Sequence, residues 1–224
     1  MVELVPVVAI DGPAASGKGT VAKMLAERLG FHYLDSGLLY RTVAAEALAR
    51  ELPPDDAEKM GALARELAQS GKSSTHDTAR PEVAAAASCV AALPAVRAAL
   101  LPVQRGWRRM PGLVADGRDM GSVVFPDAVL KVFLTAEPGE RARRRQKQLE
   151  EKGIHATIAD VLADLRRRDE RDSAREGAPM KAFPDCIVVD SSSQVAGQTV
   201  ESLVVRLSEA DDKIILCKEQ GENA

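Results

Sequence analysis

The sequence predicts an α/β protein with a five-stranded parallel sheet of the doubly wound kind. Five short apolar runs alternate with segments of helical pattern, which is typical of a parallel sheet covered by helices on both faces. The first run leads directly into a glycine-rich turn and then a helix, the arrangement that a phosphate-binding loop requires. The length of 224 residues suits a single domain of this class with inserted helical regions.

The glycine-rich turn at residues 12–20 has the pattern Gly-x4-Gly-Lys and follows the apolar run 5–10. Glycines let the backbone close around an anion with its N–H groups turned inward, and the positive end of the next helix points at the same anion. A glycine-rich turn without function is the alternative, which the flanking strand and helix disfavour. Gly19 stands where most such loops carry a metal-binding hydroxyl, so we expect phosphates and water to hold any Mg²⁺. The predicted phosphate-binding site comprises Gly12, Pro13, Ala14, Ala15, Ser16, Gly17, Lys18, Gly19 and Thr20.

The composition excludes several classes of protein. With 46% apolar and 28% charged residues the chain is an ordinary globular protein, and no apolar run approaches the ~20 residues of a membrane span. The net charge of -3 and the 3% of aromatic residues disfavour nucleic-acid binding. The three cysteines have neither disulfide nor metal-site spacing, and no basic-apolar leader is visible. We therefore expect a cytoplasmic monomer that binds no membrane, no nucleic acid and no metal through its own side chains.

A short strand after Gly30 and a helix at 38–50 follow the first helix. Ser36 lies near the start of the second helix, and Tyr40 and Arg41 lie in its first turns. Ser36 alone would be a helix cap, and Arg41 alone a solvated charge. Both become candidate ligands because the carboxyl end of their strand opens on the same side as the phosphate loop, where parallel sheets bind ligands.

Three further helices are predicted before the third strand. One is capped at 53–55 and ends near residue 69, a polar exposed loop covers 70–77, and a helical pair covers 82–92 and 95–109. Pro81 and Pro94 begin the two helices of that pair, which carry Ser88 and Arg97.

The third strand, at 113–116, ends in Asp116 and is followed by Gly117-Arg118-Asp119-Met120-Gly121. Asp116 either orients a metal-bound water, as an acidic residue at the end of such a strand can, or simply terminates the strand. Arg118 and Asp119 place opposite charges at a strand tip between two glycines, where a ligand can approach the backbone closely.

A strand at 129–134 precedes two arginine-rich helical segments that turn at Gly153. The first, at 137–152, includes Arg141 and Arg145, and the second cluster spans 166–175. Such a hairpin either closes over a polyphosphate as a lid or pairs its charges with its own acidic residues. The phosphate loop elsewhere in the chain favours the lid. The last strand covers 186–190, a helix covers 195–207, and we expect a loosely attached tail at 211–224.

Several of these motifs, in this order, resemble the bacterial cytidylate kinases of the nucleoside monophosphate kinase family of P-loop proteins. The resemblance extends over 7–201 and is carried by segments 10–20, 34–41, 86–97, 115–128 and 168–175. The stretch Ala-Asp-Gly-Arg-Asp-Met-Gly at 115–121, followed by Val-Phe-Pro-Asp-Ala at 124–128, is the most specific. The resemblance implies transfer of the γ-phosphoryl group of ATP to CMP or dCMP with Mg²⁺.

The resemblance also implies roles for individual residues. Ser88, Arg97 and Asp119 would bind the cytosine, Arg168 and Asp172 the sugar hydroxyls, and Arg41, Arg118 and Arg175 the acceptor phosphate. Ser36 and Tyr40 complete the acceptor site, Arg141 and Arg145 would contact ATP, and the catalytic set is Lys18, Arg118 and Arg175. The cytosine assignment is chemically consistent, since its amino group suits a carboxylate and its N3 and O2 atoms suit Arg and Ser donors.

The predicted organisation is one domain with three regions and a tail. The core comprises 1–37, 110–140 and 183–210, the acceptor-binding region 38–109, and the lid about 141–178. Compared with the family, a β-rich insertion beside the acceptor site looks truncated at 71–80, which leaves domain closure and the preference between CMP and dCMP open. Another P-loop small-molecule kinase, acting on UMP, AMP or shikimate, and a non-catalytic nucleotide switch are the alternatives.

Overall fold

The protein forms a five-stranded, entirely parallel sheet, as predicted. The computed structural model describes residues 5–70 and 76–210, with backbone only at 209 and 210. The strands are β1 (Val7–Asp11), β2 (His32–Asp35), β3 (Leu113–Gly117), β4 (Leu130–Thr135) and β5 (Ile187–Asp190). Their order across the sheet is β2-β3-β1-β4-β5. The central strand β1 is buried along its whole length, which explains its continuous apolar sequence.

Eight α-helices surround the sheet within the described residues. They are α1 (Lys18–Leu29), α2 (Ser36–Ala49), α3 (Ala57–Ser70), α4 (Pro81–Val90), α5 (Pro94–Arg105), α6 (Pro138–Glu150), α7 (Ile158–Ser173) and α8 (Ala196–Ala210). A single π-helical turn, Met120–Val124, follows β3. Pro81 and Pro94 stand at the first positions of α4 and α5, where a missing N–H costs nothing.

Apolar side chains form four clusters. The helices α1 and α8 cover one face of the sheet through residues such as Leu25 and Leu203. On the other face Val7 and Ala9 pack against the segment that contains Phe125. The helices α2 to α5 share a core of their own, and the α6–α7 hairpin packs its apolar side chains against Ala14 of the glycine-rich turn. The hairpin therefore packs directly against the phosphate loop.

The ends of several helices differ from the prediction by a few residues, and three of these differences bear on capping or packing. Helix α2 begins at Ser36, and its cap is Asp35, whose Oδ1 accepts the Leu38 N–H at 2.9 Å. Helix α3 begins at Ala57, and Asp56 rather than residues 53–55 caps it, since its Oδ1 accepts the Lys59 N–H at 3.0 Å. Helix α5 ends at Arg105 instead of 109. The next residues leave the helix axis, and the Arg108 guanidinium donates to the Val5 carbonyl at 2.7 Å, at the start of the sheet.

Two predictions lie partly or wholly outside the described residues. They are the polar loop with the shortened segment 71–80, of which 71–75 are not described, and the tail 211–224. Within residues 5–70 and 76–210, no single helix has the length and apolarity to cross a membrane. The pair α4 and α5 has that length and apolarity only when the two helices are taken together, with a bend of 100° between them. The apolar side chains of both helices are part of the helical core.

Candidate active site

The phosphate loop connects β1 to α1, and two of its glycines are required by the backbone. Gly12 has φ +151°, and a Cβ there would lie 2.0 Å from the Leu134 carbonyl oxygen on β4. Gly17 has φ +90° and forms the N-terminal boundary of α1, where no side chain caps the free N–H groups. The loop therefore offers uncapped N–H donors and the positive end of a helix to an anion.

Lys18 links this loop to a neighbouring cavity. Its Nζ donates to the Pro13 carbonyl at 3.2 Å, so the side chain lies back along the loop. Burial lowers the pKa of Lys18, and the charge of Arg118 lowers it further, whereas Asp116 and Asp35 oppose that shift. The amine is thus buried beside one guanidinium and several carboxylates, at the point where the phosphate loop meets the cavity.

The neighbouring cavity has a volume of about 120 Å³ and lies between the loop, the carboxyl ends of β2 and β3, and helices α2, α4 and α7. Most of the predicted acceptor-site residues line it. They are Ser36, Tyr40, Arg41, Ser88, Arg118, Asp119, Arg168, Asp172 and Arg175. Arg97 lies next to the cavity, because it forms an ion pair with Asp119. The fold therefore brings together residues that are up to about 140 positions apart in the chain.

One end of the cavity combines a carboxylate, a guanidinium and a hydroxyl. Asp119 is 2% exposed and accepts a short hydrogen bond from Arg97, which also lies 5.9 Å from the centre of the Tyr40 ring. Burial raises the pKa of Asp119, while the charges of Arg97 and Arg175 counteract the rise. Ser88 Oγ is buried and has no hydrogen-bond partner within the described part of the chain. This end can therefore accept and donate hydrogen bonds to a planar polar group.

The other end is a cluster of arginines around one buried carboxylate. Asp172 pairs with Arg118, Nε to Oδ2 at 2.8 Å, and with Arg175. Although burial raises its pKa, the charges of Arg118 and Arg175 outweigh that effect and leave the pKa of Asp172 below the ordinary value. Burial lowers the pKa of Arg168 to about 10, and its buried Nε has no partner among the described residues. With three guanidiniums and one carboxylate, the cluster carries an excess of positive charge that favours an anion.

Arg41 adds a fourth guanidinium, which lies closer to solvent. Its NH2 is 2.7 Å from Asp35 Oδ2, and both side chains are about one third exposed. A Cβ on Gly37 would lie 2.9 Å from Arg41 NH1, so the missing side chain leaves room for this guanidinium to lie against the start of α2.

Comparison with known proteins identifies the family. The family model for cytidylate kinase matches residues 8–209. The chain belongs to the cytidylate kinase family. The cytidylate kinases of Paraburkholderia phymatum and Bordetella pertussis are each 50% identical over 208 residues, covering 89% of this chain and 91% and 93% of theirs. That of Nitrosomonas europaea is 47% identical over 215 residues, covering 92% of this chain and 96% of its own.

Three residues that sequence analysis either missed or left open support the walls of this site. Asp11 accepts the N–H groups of Met120 at 2.8 Å and of Gly121 at 2.9 Å, so it holds the turn that carries Arg118 and Asp119. Tyr33 donates to Asp116 Oδ2 at 2.7 Å. Asp116 lies beside Lys18 in the cavity, and its suggested action on a metal-bound water stays a prediction. The position of Asp11 directly before the glycine-rich turn is the only signal in the sequence that could have identified it.

A second cavity, of about 370 Å³, lies on the other side of the phosphate loop. It is lined by Ala15, Ser16, Gly17, Thr20, Val21, Arg144, Lys147, Gln148, Glu151, Ser191, Gln194, Ala196 and Thr199. The predicted ATP contacts Arg141 and Arg145 do not line it. Arg141 is buried beneath the loop, with NH1 3.1 Å from the Ala14 carbonyl and NH2 2.7 Å from Asp169. Arg145 is half-buried, and their contacts to ATP stay predictions.

Some arginines of the α6–α7 hairpin pair within their own helix, whereas others lie against the candidate site. Arg143 and Arg167 pair with acidic residues of their own helices, Glu140 and Asp164. Others contact the phosphate loop or line the acceptor cavity. The hairpin is therefore only partly a self-paired charged surface, because a substantial share of its positive charge lies against the candidate site.

Proposed function

We propose that this protein transfers the γ-phosphoryl group of ATP to CMP or dCMP, which gives ADP and CDP or dCDP. The observation that carries the proposal is a single cavity in which Lys18 of the phosphate loop adjoins a buried arginine cluster and a buried Asp–Arg–Ser set. The names of the relatives agree with this reaction.

The Asp–Arg–Ser set suits the edge of cytosine. A carboxylate such as that of Asp119 accepts from the N4 amino group, and Arg97 and Ser88 can donate to N3 and O2. Uracil has the opposite polarity at positions 3 and 4, so it would leave the buried Asp119 facing an acceptor. Sites built on such groups discriminate strongly against a mismatched base, because buried polar groups lose their partners.

The arginine cluster suits the sugar and phosphate of the acceptor. We assign Arg168 and Asp172 to the sugar hydroxyls, and Arg41, Arg118 and Arg175 to the phosphate. A phosphomonoester has a second pKa of about 6, so the attacking oxygen is already largely deprotonated at neutral pH and needs no general base. The arginines offset the repulsion between two anions and hold them in line for transfer.

The phosphate loop suits the donor. Its uncapped N–H groups and Lys18 would bind the β- and γ-phosphates and stabilise charge that develops during transfer. The described residues contain no cluster of three or more acidic, His or Cys side chains for a metal, but the carboxylates of Asp35 and Asp116 lie beside Lys18. This arrangement fits Mg²⁺ held mainly by phosphate oxygens and water, where it would supply further charge neutralisation.

We propose that the α6–α7 hairpin acts as a lid, because its arginines lie against both the loop and the acceptor cavity. Exclusion of water would protect ATP from hydrolysis. We further propose a monomer acting on small molecules in the cytoplasm. The free thiols of Cys89 and Cys186 are compatible with a reducing compartment.

The test is ADP release from ATP with CMP, dCMP, UMP, AMP or dTMP supplied separately. We expect turnover with CMP and dCMP, and much slower turnover with UMP. The Asp119→Ala variant should lose this preference, mainly through kcat/KM for CMP. Asp127→Ala is the matched control, since it also removes an ion-paired aspartate but lies outside the cavity.

Comparable kcat/KM values for CMP and UMP in the unaltered protein would contradict the cytosine assignment. Faster turnover with AMP or dTMP would point to a different small-molecule kinase. If ATP binds but no monophosphate stimulates turnover, the phosphate loop is functional and the acceptor assignment is wrong.

A further inference from the structure

One carbonyl of the phosphate loop is held from outside the loop. The Ser16 carbonyl oxygen lies 3.2 Å from Arg144 NH1 on α6 and 2.8 Å from the Ser191 hydroxyl, which directly follows β5. Neither residue belongs to the loop, and both line the second cavity. Two donors that converge on one carbonyl hold the Ser16–Gly17 peptide in a single orientation.

The two donors are themselves held in place. Arg144 NH1 also contacts the Ser191 hydroxyl at 3.1 Å, and its NH2 donates to the Ser191 carbonyl at 2.6 Å. Glu140 accepts from Arg144 Nε at 2.9 Å, and the Ser191 backbone N–H donates to the Thr135 carbonyl at 2.8 Å. Ser191 is buried. The bracket formed by Arg144 and Ser191 therefore ties the loop to α6, to the end of β4 and to the end of β5.

The orientation of this peptide determines where an N–H group points. In a trans peptide the C=O and the next N–H point in opposite directions, so a Ser16 carbonyl held by the bracket turns the Gly17 N–H away from it. The hydrogen bonds of the described chain leave that N–H free. Because Gly17 has no Cβ and adopts either sign of φ at little cost, its own conformation does not prevent the peptide from flipping. An external restraint is needed.

We propose that Arg144 and Ser191 are positioning residues that keep the Gly17 N–H directed at the donor's phosphates. The inference rests on the proposed phosphoryl transfer. A flipped peptide would present a carbonyl oxygen to the phosphates in place of a donor. The bracket thus contributes to transition-state stabilisation without touching the reacting atoms, because a preorganised donor needs no reorientation during the reaction.

Four variants test this proposal. They are Arg144→Met, Arg144→Lys, Ser191→Ala and the double variant Arg144→Met/Ser191→Ala. The control is Arg143→Met, which removes the neighbouring charge from the same helix. Its side chain is 67% exposed, and Glu140 is its one ion-pair partner among the residues that the structure describes. For each protein we would measure kcat, the KM values for ATP and CMP, the melting temperature, and the Kd of ADP with Mg²⁺ by calorimetry.

We expect Arg144→Met and Ser191→Ala each to lower kcat by about 10- to 100-fold, as loss or misalignment of one backbone donor does. The KM for CMP should stay within about twofold, because ground-state binding of the acceptor does not use this peptide. The double variant should be little worse than either single variant, since both residues hold one peptide. Arg144→Lys should not restore kcat, because an ammonium lacks the planar fork of a guanidinium.

Three results would overturn the inference. A normal kcat in Ser191→Ala would show that the loop peptide does not need the bracket to hold its orientation. Full activity in Arg144→Lys would show that only charge matters. Fully additive losses would show that the residues act separately. If the unaltered protein has no CMP-dependent turnover, the proposed function fails. The Kd of ADP still tests the bracket in that case, and equal Kd values in all variants would refute the positioning role of Arg144 and Ser191.

Discussion

Asp172 is the carboxylate at the centre of the arginine cluster, and its replacement by asparagine separates the stability of the site from its function. The side chain is 3% exposed and pairs directly with Arg118 and Arg175, while Arg168 lies close enough to lower its pKa further. Asp172→Asn keeps the shape of the side chain and removes its charge. Three buried guanidiniums would then face one another without the carboxylate that pairs with two of them.

The structure sets the size of the expected effect. Removing one partner of a buried ion pair costs about 3–5 kcal/mol, because the remaining charge is left unpaired in a poorly solvated place. Since the asparagine carbonyl can still accept one hydrogen bond, we expect the lower end of that range, about 3 kcal/mol. For a chain of this size, this corresponds to a fall in melting temperature of roughly 6–12 °C.

The assay is thermal unfolding in phosphate-free buffer and with increasing inorganic phosphate. Phosphate should stabilise Asp172→Asn more than the unaltered protein, because it supplies the missing negative charge and no longer competes with a carboxylate for Arg118 and Arg175. The kcat/KM for CMP should nevertheless fall by at least about tenfold, as the assigned contact with the sugar is lost. Asp164→Asn is the control, since this aspartate lies on the same helix with its side chain about half exposed, and it should change stability by less than about 1 kcal/mol.

Equal melting temperatures for Asp172→Asn and the unaltered protein without phosphate would refute the electrostatic argument. The same holds if phosphate stabilises both proteins equally, since the cluster would then not be an anion site whose charge Asp172 balances.

Three further predictions concern the phosphate loop and its support. Lys18→Met should lower kcat by about 10²–10³-fold with little change in the KM for CMP, in the same turnover assay, and a change in KM alone would contradict the assigned role. Burial raises the pKa of Asp11 to about 7, so the native protein holds a proton that the unfolded chain releases. The unfolding free energy of the unaltered protein, measured relative to that of Asp11→Asn, should therefore fall as pH rises from about 4 to about 7. Denaturation of both proteins at several pH values measures it, and a difference that does not change with pH would contradict the prediction. Gly12→Ala should lower the unfolding free energy by more than about 3 kcal/mol and abolish ADP binding, because its methyl group would overlap the Leu134 carbonyl. The control is Gly153→Ala, which has free space around it and should lower the unfolding free energy by only about 1–2 kcal/mol in thermal unfolding.

The sequence alone was sufficient for the fold class and the location of the phosphate loop. Both depend on local patterns: apolar runs of strand length, and a glycine-rich turn between a strand and a helix. The helix boundaries were less predictable. At α2, Asp35 and Ser36 are both good capping residues. Asp35 caps the helix, because the Ser36 hydroxyl donates instead to the Asp116 carbonyl at 2.7 Å. That contact joins residues 80 positions apart in the chain.

The composition of the acceptor cavity was largely predictable from motifs, but its pairings were not. Asp119 pairs with Arg97, and Arg118 with Asp172, across 22 and 54 positions of the chain. These partners depend on how α5 and α7 pack against the tip of β3, which no local pattern encodes. The support of that tip by Asp11, 109 positions from Met120, depends on strand order in the same way.

The arginines of α6 show which features the sequence by itself determines and which depend on tertiary packing. The sequence alone determined that a helix with several adjacent arginines follows β4. Successive residues on an α-helix point about 100° apart, so Arg141, Arg144 and Arg145 face different surroundings. Only the packing of the hairpin against Ala14 decided that Arg141 is buried under the loop and that Arg144 holds the Ser16 carbonyl. The rotation of a helix about its axis is set by the surface it buries, and that surface exists only in the folded protein.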